Sequence, residues 1–139
     1  MDIVFRFSGG ESFYLLDRRQ NTSKLDFWKR QGGWANFGSS DVLDLSVDTW
    51  FAIQLKVAGD DFEVKIKEAK DGTAFDKLDP VLEGDDGIFK KGDFGHYGFE
   101  LLDNVVVATE PDDFKNPFAI SPSGNLVTRW AKIKHEEGR

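Results

Sequence analysis

The chain has 139 residues, a net charge of −7 and no cysteine, and it is rich in rings, with 13 Phe and 4 Trp against 2 Tyr. That length suits one domain able to bury roughly two thirds of its unfolded surface. The acidic pairs Asp60-Asp61, Asp85-Asp86 and Asp112-Asp113, without a dense Lys/Arg stripe to offset them, exclude a nucleic-acid partner, and the missing Cys excludes disulfides and thiolate chemistry. No apolar run approaches the ~18 residues of a membrane span. The opening Asp2-Ile3-Val4-Phe5 has neither a basic nor an apolar leader, and we read the chain as a segment of a longer secreted protein.

Ile3, Phe5 and Phe7 alternate with Val4 and Arg6, predicting a first strand that ends at Ser8-Gly9-Gly10. Phe13 and Leu15 alternate with Tyr14 and Leu16 in a second strand, and Leu25 to Lys29 reads as a third. The stretch Gln31 to Ser40 is glycine-rich and reads as a loop or a short distorted strand. Val42, Leu43, Leu45 and Val47 lead to Trp50.

The strongest signal follows. Phe51, Ile53, Leu55 and Val57 alternate with Ala52, Gln54 and Lys56, and Phe62, Val64 and Ile66 alternate with Glu63, Lys65 and Lys67. A period of two on both sides of Ala58-Gly59-Asp60-Asp61 predicts a hairpin with one buried and one wet face. Residues 69–93 are irregular and acidic, and strands are expected over Phe94 to Leu102 and Asn104 to Thr109. Pro111 stops the sheet because it cannot donate to a ladder. Leu126, Trp130 and Ile133 fall at helical spacing, so residues 124–139 are expected to form a short amphipathic helix after a 111–123 linker.

The order of these pieces resembles the laminin-G-like branch of the concanavalin A-like lectin/glucanase superfamily. The resemblance rests on Val4-Phe5-Arg6-Phe7 with Ser12 to Leu16, on Trp50 to Asp60 followed by Phe62 to Ile66, and on Gly95 to Phe99 with Asn104 to Val107. It covers roughly residues 2 to 110, and 1–110 is taken as the sandwich. The fold it implies is all-β, a two-sheet antiparallel jelly roll, here with the C-terminal helix added. It also implies glycan binding on secreted or surface proteins, often beside Ca²⁺, and some bacterial relatives are 3-keto-disaccharide hydrolases. Members usually carry about two strands ahead of the first one here. The implied consequence is an open sheet edge that takes a partner strand, a second copy or an upstream segment.

If the strand faces correspond as in those relatives, Arg6, Tyr14, Gln54, His96 and Glu100 share one concave wet surface suited to sugar hydroxyls and a pyranose face. The competing reading is a solvated face with an Arg6–Glu100 ion pair. Trp34 and Phe37, between Gly33 and Gly38, are candidates for stacking on a glycan or for folding back as a plug. Trp28 and Trp50 are expected in the core. Catalysis finds little purchase: paired carboxylates about 5 to 9 Å apart are not suggested by the pattern, and His96 and Glu100 on one strand would stand about 13 Å apart. No G-x-S-x-G elbow is present, and the acidic clusters lack calcium-loop spacing. Taken with the resemblance, the residues suggest a non-enzymatic carbohydrate-binding or adhesion module without a cofactor. The rivals are a protein-interaction module using an open edge and the tail helix, and a fragment of a glycoside hydrolase.

Overall fold

The computed structural model describes residues 1–19, 22–46, 48–96 and 103–108. The chain divides into two compact units, Met1–Glu100 and Leu101–Arg139. The first contains the strands β1 (Asp2–Phe7), β2 (Phe13–Arg19), β3 (Lys24–Arg30), β4 (Trp34–Ser39), β5 (Phe51–Ala58), β6 (Asp61–Glu68), β7 (Leu82–Asp85) and β8 (Asp93–His96). They form two antiparallel sheets, one in the order β4-β3-β2-β1-β8 and one in the order β5-β6-β7. The chain meanders through β1–β4, crosses to the second sheet for β5–β7, and returns to lay β8 beside β1.

The hairpin forms as its alternation requires. Ile53 faces Ile66, Leu55 faces Val64 and Val57 faces Phe62, with Phe62 and Val64 buried. Gly59 begins the two-residue turn at φ 62, the positive angle that a primed hairpin turn favours and that glycine adopts without strain. Shielding is uneven, however. β5 is an edge strand, so Ile53 and Leu55 are only partly buried and Val57 stays 37 % exposed.

Between the sheets, Phe5, Tyr14, Leu16, Leu25 and Phe27 from one side meet Phe62, Val64 and Leu82 from the other. The rings dominate. Phe5 packs edge-on to Phe62 at 5.3 Å, Tyr14 lies 5.1 Å from Phe62, and Phe37 stacks on Phe27 at 5.4 Å with 6° between planes. Each such pair adds about 0.5–1.5 kcal/mol beyond the area it buries. A Cβ at Gly84 would come within 3.0 Å of the Phe27 ring, so the absence of a side chain there lets β7 pass close to the stack.

Several expectations change. Of the two readings of 31–40, the short distorted strand is the one found, β4, with a register shift where Phe27 pairs Gly38 and Trp28 pairs Asn36. The 69–93 stretch, read as irregular, contains β7 and a short 3₁₀ turn at Phe75–Lys77. No strand forms within 103–108, where Asn104 takes φ 53. Among the described residues β1 is an inner strand, flanked by β2 and β8, and the sheet edges are β4, β8, β5 and β7. The C-terminal helix and the continuation of the strand past His96 lie outside the described residues.

Phe37→Ala is expected to cost about 3 kcal/mol by emptying the ring stack, whereas Trp34→Ala, three residues earlier in the same strand, should shift stability by less than about 1 kcal/mol. Urea unfolding of both variants checks the assignment; equal losses would contradict it.

Candidate functional site

The structure disperses the residues expected on one wet surface. Tyr14 is fully buried, because it pairs with Phe5 on the core face of β2 while Phe13 and Leu15 turn outward. All four residues from Phe13 to Leu16 are apolar or aromatic, so alternation alone could not set the phase. Phe37 likewise packs against the core: the register shift in β4 turns it inward beside Gly38. Arg6 leaves the face too. It adopts φ 52 at a shift in the β1–β8 register, donates to Phe89 O at 2.8 Å and to Gly59 O, and lies over the Phe62 ring. It clamps β1 to the β5–β6 turn and is a structural residue.

Gln54 stays outside, next to Lys65 on the outer face of the three-stranded sheet. His96 is exposed on β8 and lies opposite Ile3, on the core side of the five-stranded sheet. Glu100 lies outside the described residues. Trp50 is 57 % exposed and not in the core. The β5 alternation explains this: an even-numbered residue belongs to the wet side, with Ala52 and Gln54. It borders a shallow cleft of about 530 Å³ with Asp48, Glu68 and Lys70.

Trp34 is the candidate that keeps its place. It is 52 % exposed on the outer face of the five-stranded sheet. Its ring is braced nearly perpendicular to Phe13 (5.7 Å, 82°) and Trp28 (6.4 Å, 88°). Register places Phe13, Arg30 and Trp34 side by side, and Leu15, Trp28 and Asn36 in the next row. The Arg30 guanidinium lies 5.2 Å from the Trp34 centroid and donates to the Glu11 carboxylate. Arg19 covers Trp28 at 4.6 Å and pairs with Asp17 at 3.1 Å. Trp28, expected in the core, thus sits on this outer face beneath an arginine. The result is a ring platform edged by planar donors and carboxylates.

A second cluster escaped the sequence reading. The Tyr14 hydroxyl donates to Asp86 Oδ1 at 2.6 Å and accepts from the Phe89 N–H at 3.0 Å. Ile88 N–H also donates to Oδ1, and Lys29 Nζ holds Oδ2. Burial, then the bond to Asp86, pushes the Tyr14 hydroxyl up to about 12. Burial would by itself raise Asp86, but donation from Lys29, Tyr14 and Ile88 outweighs it and holds the carboxyl below the usual range. With the ring enclosed, this group ties β2 and β3 to the segment that follows β7. Its signal in the sequence was Lys29, which follows Leu25 and Phe27 in the buried phase.

Among the described residues, no group of three or more His, Asp or Glu side chains is placed to hold a metal ion. Comparison with protein-family models, curated proteins and solved structures finds no match.

The cluster predicts two pH effects. A raised Tyr14 favours the folded state below the unfolded tyrosine value near 10 and loses that contribution as pH climbs toward about 12. A depressed Asp86 contributes above the unfolded carboxylate value and loses that contribution as pH falls through its lower folded value. Tyr14→Phe should cost about 1–3 kcal/mol at neutral pH and flatten the alkaline limb; Asp86→Asn should flatten the acid limb. Denaturant midpoints measured from pH 3 to 11.5 test both.

Proposed function

We propose that the chain is a laminin-G-like jelly roll that binds carbohydrate without catalysis, as a recognition or adhesion module of a larger secreted or surface protein. The observation that carries this reading is Trp34, a half-exposed indole held in a fixed orientation beside the Arg30–Glu11 pair. Sugar recognition needs a ring for the apolar face of a pyranose and planar donors and acceptors for adjacent hydroxyls. Bracing by Phe13 and Trp28 lowers the entropy lost on binding, because the indole is already ordered.

The net charge of −7 favours neutral glycans over sulfated or otherwise acidic ones. The face is open and shallow, so each site contributes modestly and avidity comes from neighbouring copies or domains. The motif resemblance over residues 2–110 supports the same reading independently of Trp34. A hydrolase fragment finds less support, since Tyr14, Asp86 and Lys29 are committed to bonds with one another.

A glycan array with the wild type should give hits among neutral oligosaccharides. Trp34→Ala should weaken them at least tenfold, about 1.4 kcal/mol, and Arg30→Ala should also weaken them. Arg6→Ala should leave the affinity of the folded fraction unchanged while lowering thermal stability. An array without hits, or hits indifferent to Trp34→Ala, would overturn the proposal.

A further inference from the structure

Among the described residues, the four sheet edges differ in how well they are protected against another strand. β4 is bent by its register shift. β8 meets a register shift on β1 between Val4 and Phe7. β7 spans four residues and begins just after Pro80. Short length, bulges and nearby proline are the devices that keep edges from pairing with foreign strands. β5 has none of them. It runs eight residues in unbroken register with β6, contains no Pro, and carries one charge, Lys56.

The hydrogen-bonding phase of this edge follows from the bond that Ala69 N–H donates to Trp50 O at 2.8 Å. In an antiparallel ladder the bonded pairs alternate, so even-numbered residues of β5 exchange bonds with β6. The N–H and C=O groups of Phe51, Ile53, Leu55 and Val57 therefore point away from it. Among the described residues they meet no strand there. The side chains of Ile53, Leu55 and Val57 face the core side yet remain incompletely covered.

We propose that this edge is a self-association surface that takes β5 of a second copy, antiparallel, about a two-fold axis through Gln54. Full overlap sets Phe51 opposite the partner's Val57, Ile53 opposite the partner's Leu55, Ala52 opposite the partner's Lys56, and Gln54 opposite itself. Each odd-numbered pair exchanges two backbone bonds. The apolar row of one copy continues into that of the other and covers the exposed Val57. On the wet face no like charges meet, and the paired Gln54 amides can donate and accept reciprocally. A slide that brought Lys56 against its own copy would shorten the overlap and set two cations together. The union joins two three-stranded sheets into one of six strands. It uses the sheet opposite Trp34, so it stands or falls separately from glycan binding.

The test uses the full chain at physiological salt, where a Debye length of about 8 Å screens the repulsion between copies. The chain has no cysteine, so Gln54→Cys introduces a lone thiol. Opposed residues of a non-bonded antiparallel pair have Cα atoms about 4.5 Å apart, within disulfide range. Oxidised glutathione should convert Gln54→Cys to a chain pair on a non-reducing gel. Lys56→Cys should resist, because its own copy lies about 13 Å along the strand. Light scattering should give the wild type the mass of two chains. Val57→Pro should give the mass of one with unchanged circular dichroism, since the N–H it removes points outward. A single-chain wild-type mass at up to about 1 mM, or cross-linking of Gln54→Cys no better than Lys56→Cys, would overturn the proposal.

Discussion

The Tyr14 hydroxyl lies at the end of a core filled by rings, and its burial requires the segment that follows β7 to come to it. The hydroxyl donates a hydrogen bond to Asp86 and accepts one from the Phe89 N–H, and Lys29 neutralises the carboxylate. An unpaired buried hydroxyl would cost several times what a satisfied one contributes, so the first sheet and the 86–89 segment are mutually dependent. Arg6 reinforces the same end by reaching from β1 to Gly59 and Phe89. Two strands of one sheet, β2 and β3, are thereby fastened to the loop leaving the other.

Committing Tyr14 and Leu16 to the core has a consequence on the far side of the same strand. Phe13 and Leu15 must face outward, so the outer face of the five-stranded sheet is apolar where a solvated sheet would be polar. Trp28 and Trp34 extend that apolar surface, and Arg19 and Arg30 lie over the rings. Leu15 is 8 % exposed although it faces away from the core. A ring platform at that position follows from the same phase choice that buries Tyr14. Of its rings Trp34 is the one left half exposed, with Phe13 and Trp28 partly covered beside it.

The proposed glycan face and the proposed association edge lie on different sheets, so neither occupies the other's surface. Pairing through β5 would carry two Trp34 faces on one particle. Shallow sites gain more from such doubling than deep ones, because the second contact forms at high effective concentration.

The hairpin was legible because Phe51 to Ile66 combines strict alternation with a glycine turn, and local pattern sufficed. The same pattern contained the exposure of Trp50, which an even position demands. Other features were hidden for definite reasons. Phe13-Tyr14-Leu15-Leu16 offers apolar residues to both faces, so only packing against Phe5 and Phe27 selects one. The inward turn of Arg6 and Phe37 depends on register shifts that create no period of their own. Asp86 looked like one more surface acid until Lys29 and Tyr14 met it from 57 and 72 residues away.

By itself, then, the chain's alternation determined an antiparallel β protein with a well-defined hairpin, because side-chain period follows directly from backbone geometry. Which ring is core and which is platform was decided only by tertiary structure. That choice turns on strand phase, bulges and long-range polar contacts, none of which is encoded within a single strand.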